Sequence, residues 1–304
     1  MFMPKVSAVI AVYNGARYIR RSINAALAQT HRDLELVIVD DASTDETEKI
    51  IKEEFSNTPI PLVYIRNAVN RERCFSRNLG ADRATGDYIF FLDYDDEWLP
   101  QYVEHSLKIF ESERADVVCS ILRSRIDTES KLIYTSKKKL SADASALLFS
   151  ALIGGTPGTA FRKSTFPEYH NEFLFREDWE IVLRAASMGL KISVVDNDLV
   201  LVREHHQRTS TTEPRYYAAS MRVYETYREK VPLPYRALFD FEIGSTCLRH
   251  GDLPRGWRLC LSAMRRRADL FANARQWLLL LKRGFRLDRW LNPALRRVSR
   301  SKVN

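Results

Sequence analysis

A chain of 304 residues, 45% of them hydrophobic and 28% charged, can bury a sizeable core as one large domain or as a domain with an appendage. Eleven glycines and eleven prolines exclude a collagen-like or low-complexity polymer, and the apolar run WLLLL near the C-terminus is too short to span a bilayer. The net charge of +8 is gathered at one end: residues 255–304 hold fourteen Lys and Arg against two Asp, which leaves the rest of the chain slightly acidic.

The opening MFMPKVSAVIAVYN runs almost directly into a strand pattern, without a basic region followed by a long apolar one. No signal peptide is indicated, so a cytoplasmic setting is expected. Cys74, Cys119, Cys247 and Cys260 lie in or beside apolar segments with no metal-ligand spacing, and they read as reduced core thiols.

In chain order, VSAVIAVY (6–13) is an apolar run of strand length, and ARYIRRSINAALAQT follows with Ile19, Ile23 and Leu27 on one helical face. LELVIVDD (34–41) is a second strand. ASTDETEKIIKEEF opens a second helix, where Ser43 and Glu46 form a capping-box pattern. PLVYIRN (61–67) is a third strand, residues 74–84 a third helix, and DYIFFLD (87–93) a fourth strand. Strands apolar throughout and separated by helices predict a parallel sheet covered on both faces, an α/β doubly wound architecture. Beyond Pro100 the pattern mixes a helix, the strand ADVVCS, a polar segment (123–139) and a helix over SADASALLFSALI. The loop GGTPGTAFRKS, an acidic helix start at REDWEIVLRAASMG, and the strands KISVVD and LVLVR come next. From about Tyr216 the chain reads as helical, ending in the basic tail, and no internal repeat is visible.

Open parallel sheets bind ligands beyond the carboxyl ends of their strands. Four polar clusters fall there: VYN (12–14), DDAS (40–43), RNAVNRERCFSRN after the third strand, and DYDD (93–96) after the fourth. Closely spaced carboxylates repel one another and suit a hard divalent cation, Mg²⁺ or Mn²⁺, which commonly bridges to substrate phosphates. Arg71, Arg73, Arg77 and Asn78 are candidates to hold anionic or hydroxylated parts of the same ligand. Neither a P-loop nor a GxGxxG fingerprint is present. A nucleoside diphosphate bound through a metal fits what remains.

VSAVIAVYNGARYIRRSINAALAQTHRDLELVIVDDASTDET and SRNLGADRATGDYIFFLDYDDEWLP together resemble the nucleotide-binding half of family 2 glycosyltransferases, nearly without gaps over residues 5–100 and more loosely to about 212. The resemblance implies the GT-A fold, a Rossmann-like, mostly parallel sheet flanked by helices, here with a C-terminal helical extension. It implies a nucleotide-sugar-binding half over 1–97 and an acceptor half over 98–215, and it does not cover the basic helical C-terminal region read over 216–304. Val12 and Tyr13 then lie beside the nucleoside base, Asp41 bonds the uracil with Asp40 next to it, and Arg77 and Asn78 line the donor pocket. Asp93 and Asp95 form the D-x-D pair for metal and donor sugar, supported by Asp96, with a bulky Tyr94 at the variable position. Asp178 matches the catalytic base, with Glu177 as the alternative. His205, in an R-x-H pattern with Arg203 and a later Ser210, matches a histidine that reaches the metal or diphosphate, and His206 is its rival. Thr156, Gly158, Glu177 and Trp179 are expected at the acceptor.

The implied activity is an inverting, metal-dependent transfer from a nucleotide-sugar, a UDP-sugar first, to a glycan or lipid-linked hydroxyl in surface-polysaccharide or lipopolysaccharide synthesis. Arginines interleaved with Trp257, Trp277 and Trp290 suit either an anionic membrane interface or helices packed on a catalytic domain. The competing readings are a nucleotidyltransferase, which would want a glycine-rich basic loop after the first strand, and a non-catalytic binder of nucleic acid or anionic surfaces acting through the tail. No nucleic-acid partner is expected, because the acidic rim repels phosphate unless a metal is present.

Overall fold

The computed structural model describes residues 4–138, 140–205 and 214–270, with positions 277, 280, 281 and 284. Its first part alternates strand and helix: β1 (Val6–Val12), α1 (Ile19–Leu27), β2 (Leu34–Asp40), α2 (Thr47–Glu54), β3 (Leu62–Arg66), α3 (Glu72–Arg83) and β4 (Tyr88–Phe91). Then come β5 (Glu97–Trp98), α4 (Tyr102–Glu113), β6 (Val117–Ser120), β7 (Ser124–Ile126), β8 (Leu132–Thr135) and α5 (Ala144–Phe149). β9 (Thr159–Arg162), α6 (Glu177–Ser187), β10 (Ile192–Val195) and β11 (Val200–Arg203) complete the sheets.

Seven strands form the main sheet in the order β10-β6-β9-β4-β1-β2-β3. β9 runs antiparallel to both its neighbours, and the other pairs are parallel. Val6 pairs with Leu34 and with Tyr88, so the registers bring the carboxyl ends of β1, β2 and β4 to one rim. Every residue of β2 and β4 is buried, as apolar strands covered on both faces must be. Ile19 and Ile23 of α1 are fully buried and Leu27 packs against the same core. Beneath the rim, Phe90 meets Trp98, Tyr102 and Phe110 edge-on at ring distances of 6.2, 5.8 and 6.2 Å. The four cysteines are buried and free, as their apolar settings imply.

Three local expectations change. Ser43 does not cap α2: the helix starts at Thr47, whose N–H donates to the Asp45 carboxylate at 3.0 Å, while Ser43 Oγ accepts from Asn14 N at 2.9 Å. The polar segment 123–139 contains the antiparallel hairpin β7–β8, part of a second sheet in the order β5-β11-β7-β8. Its strand pattern was hidden because β8 lies at the sheet edge and is largely exposed on both faces. The helix expected over SADASALLFSALI is confined to Ala144–Phe149.

The chain divides into two compact units, one of residues 1–148 with 152–208, the other of 149–151 with 209–304. The division thus falls a little before the expected limit at 215. The second unit holds α7 (Pro214–Tyr227), α8 (Leu233–His250) and α9 (Leu253–Arg266). Gly244 and Gly256 let α8 and α9 approach closely, since a Cβ at Gly256 would stand 2.6 Å from Leu248 Cδ2. Asp240 of α8 is buried and neutralised by Arg228, at 3.5 Å, and by Arg266. Among the described residues no helix is long and apolar enough to cross a membrane. Trp290 and most of the tail lie outside the described residues.

Candidate active site

The site is built where β1, β2 and β4 stop. Asp41 N donates to Val12 O at 2.8 Å, tying the ends of the first two strands together. Asn14, at φ 51°, turns the chain away; its Oδ1 accepts from Thr44 N at 2.7 Å. Gly15 N donates to Thr47 Oγ1 at 2.9 Å and Ala16 N to Asp45 Oδ2 at 3.0 Å, so the loop after β1 is cross-linked to the loop after β2. Of the pair expected beside the base, Val12 is buried in the core and Tyr13 is 44% exposed, so only Tyr13 offers a ring to solvent.

The two adjacent acids differ. Asp40 is fully buried, its Oδ1 taking Ser43 N at 2.8 Å and its Oδ2 taking Tyr64 Oη at 2.8 Å and Arg66 at 2.6 Å. Both oxygens of that carboxylate are engaged. Asp41 uses Oδ1 for Asn67 Nδ2 at 2.7 Å and Arg71 N at 2.9 Å, and Oδ2 takes neither bond.

After β4 the acidic loop brings oxygen atoms of Asp93, Asp95 and Asp96 within 4.8 Å of one another. Burial pushes the Asp93 carboxyl up from its ordinary value; Arg77 opposes the shift and Asp95 adds to it. His205 reaches this cluster, with Nε2 2.7 Å from Asp95 Oδ2 and its ring 5.1 Å from that of Tyr18. Its Nδ1 is buried without a hydrogen-bond partner. An all-carboxylate set with one imidazole at its edge and a surplus of negative charge fits a hard divalent cation. Asp93 and Asp95 could hold such an ion, with His205 beside Asp95. His206 and Ser210 lie outside the described residues.

Tyr94, between the two acids, lies against the loop after β1: a Cβ on Gly15 would stand 2.8 Å from Tyr94 Cδ2 and 2.4 Å from Val12 Cγ2. Glycine is required there by close approach. Burial and the flanking Asp95 and Asp93 push the Tyr94 phenol up, so it stays protonated.

Arg77 of α3 joins the acidic loop to α6. It is buried, bonding Asp93 Oδ1 at 2.8 Å and Glu177 Oε1 at 3.1 Å, with its guanidinium 5.2 Å from the Tyr169 ring. Arg73 adds a second cation to Glu177 at 3.4 Å. Glu177 is therefore a neutralised, buried acid. Asp178, next along in the first turn of α6, takes the N–H of Trp179 on Oδ1 at 2.8 Å. Burial pushes its carboxyl up to about 6, and the adjacent Glu177 adds to the shift. Such a group is basic enough to accept a proton near neutrality.

Other expected residues are engaged in internal contacts. Asn78 gives both ends of its amide to the Tyr169 backbone, at 2.8 and 2.7 Å, and so holds that segment rather than presenting a free amide. Trp179 is buried, its Nε1 bonding Leu148 O at 2.7 Å and Arg176 lying over its ring. Thr156 and Gly158 are buried in a short 3-10 turn, with Gly158 packed on Leu122 and Ser120. Sequence reasoning passed over Ser22, Tyr64 and Arg66. Ser22 reads as one more helix residue, and only its burial in α1 marks it.

Comparison with known proteins bears on the family and the fold. The sequence profile described as Glycosyl transferase family 2 matches residues 7–169. An uncharacterized glycosyltransferase of Nostoc sp. is 33% identical over 213 residues, 66% of this chain and 65% of that protein. The chain therefore spans just under two thirds of that relative's length. The UDP-Glc:alpha-D-GlcNAc-diphosphoundecaprenol beta-1,3-glucosyltransferase of Escherichia coli is 28% identical over 192 residues, 62% of this chain and 73% of that one. Among solved structures, a mannosyltransferase from Pyrobaculum calidifontis in complex with GDP-Man and Mn2+ superposes with a TM-score of 0.60 at 18% identity, covering 94% of this chain and 83% of that one. The fold is GT-A, and the chain belongs to glycosyl transferase family 2.

Proposed function

We propose that the protein transfers a sugar, with inversion, from a UDP-sugar to a hydroxyl of a glycan or lipid-linked acceptor, with Mn²⁺ or Mg²⁺ at the acidic loop, in the synthesis of a surface polysaccharide or lipopolysaccharide. The observation that carries the reading is Arg77: one buried guanidinium bonds both Asp93 and the Glu177 beside Asp178, setting acids suited to a metal and a base around one centre. Asp178 takes the proton from the acceptor hydroxyl as that oxygen bonds to C1 of the sugar, and the bond from C1 to the diphosphate oxygen breaks on the opposite face. A divalent cation, when bound, offsets the charge gathering on the departing diphosphate. Glu177 is instead engaged in ion pairs with Arg73 and Arg77, which leaves the base role to Asp178.

UDP as carrier is supported by the E. coli relative, whose name specifies UDP-Glc and a lipid diphosphate acceptor, and by Asp41 Oδ2, which takes neither of the bonds made by Oδ1. Peripheral contact with the cytoplasmic membrane face is supported by α9, whose exposed stripe runs Arg258, Leu261, Arg265. Thermal melting tests the donor assignment: UDP with Mn²⁺ raises the midpoint, and UDP or Mn²⁺ alone does not. No shift with any nucleoside diphosphate and metal would overturn it.

A further inference from the structure

Carboxylates crowded as closely as those of Asp93, Asp95 and Asp96 repel one another, so a free loop carrying them would spread apart before a cation arrived. This loop is held at three successive main-chain carbonyls by two buried side chains from outside it. Ser22 of α1, fully buried, shares its single O–H between Tyr94 O, 2.7 Å away, and Asp96 O, 2.8 Å away. Arg203 of β11, 1% exposed, donates from Nε to Asp95 O at 2.8 Å. The Arg203 main-chain N–H also donates to Asp96 Oδ1 at 2.7 Å. The rest of its guanidinium is fixed by Glu97 Oε1, Asp127 O and Ser130 Oγ, so it cannot swing away from the loop.

We propose that Ser22 and Arg203 are positioning residues that hold the acidic loop in the shape a divalent cation requires, one pinning it from α1 and the other from β11. The proposal rests on the metal reading of Asp93 and Asp95 given above. Neither residue need touch the cation. Each fixes the backbone from which the ligands project, so the repulsion between the carboxylates is resisted in the metal-free protein and relieved on binding. Supporting partners of this kind contribute about 10–100-fold to metal affinity.

The test is a Mn²⁺ titration of the whole protein at fixed UDP, following free aqueous Mn²⁺ by electron paramagnetic resonance. Wild type is expected to bind, and Asp95→Asn to lose that binding. Ser22→Ala and Arg203→Lys should each weaken Mn²⁺ by about 10-fold or more, while Ser22→Thr, which keeps the hydroxyl, stays within a few-fold of wild type. Melting in EDTA separates this role from a purely structural one: Ser22→Ala should keep a cooperative transition while losing Mn²⁺ affinity. If Ser22→Ala and Arg203→Lys bind Mn²⁺ as wild type does, the pinning role is wrong and the metal reading stands. If wild type takes up no Mn²⁺, or Asp95→Asn binds equally, the metal reading itself falls, and the pinning role with it.

Discussion

Asp178 and Glu177 are neighbours of the same chemical type, and their surroundings separate them. Arg73 and Arg77 neutralise Glu177, whereas Asp178 is raised to about 6 by burial first and by Glu177 second. A base must be ionised to act, so with Asp178 as the proposed base, transfer is expected above about pH 6 and should fall as pH drops through that value. The kcat/KM profile of the free enzyme should show this acid limb. Removing the neighbouring negative charge with Glu177→Gln moves the limb to lower pH, because the Asp178 carboxylate then ionises more easily. Asp178→Asn should lower kcat by about 10²–10⁴-fold while UDP with Mn²⁺ still raises the melting midpoint. Retained turnover in that variant would remove Asp178 as the base.

At the scale of elements, β4 both builds the core and aims the acidic loop. Phe90 is fully buried among Trp98, Tyr102 and Phe110, and its strand ends just before Asp93. Phe90→Ala should therefore cost about 3–5 kcal/mol in urea unfolding, since the rigid rings around it can close the cavity only in part. Much of this layer was legible beforehand. The strands of the first half are continuous apolar runs, and the rim acids follow them directly. The hairpin β7–β8 was not, because an edge strand with exposed Leu132, Ile133 and Tyr134 shows no alternation. The capping of α2 was misjudged for a related reason: Ser43 has the composition of a cap, yet its hydroxyl is taken by Asn14 from another loop.

Across the whole molecule, the side chains assigned to the site belong to the first unit, while the excess positive charge falls in the second. If the second unit meets anionic lipid, the protein should bind vesicles containing phosphatidylglycerol and not neutral ones, with binding weakening as salt rises. Arg258→Ala with Arg265→Ala should remove about 2 kcal/mol of that binding, roughly thirty-fold in affinity. Unchanged sedimentation with anionic vesicles would rule out this face of α9 as the contact.

By itself the sequence determined the α/β alternation, the rim on which four polar clusters gather, and the family, because strand apolarity and motif spacing are local properties of the chain. Only the tertiary structure decided which groups are occupied. Asp40 is engaged by Ser43, Tyr64 and Arg66, Asn78 is tied to the Tyr169 backbone, and Trp179 is committed to the interior. It alone showed Glu177 bonded to Arg77, and Ser22 and Arg203 meeting at one loop from positions far apart in the chain. Hydrogen bonds and burial depend on partners distant in sequence, and no residue carries a local mark of which partner will claim it.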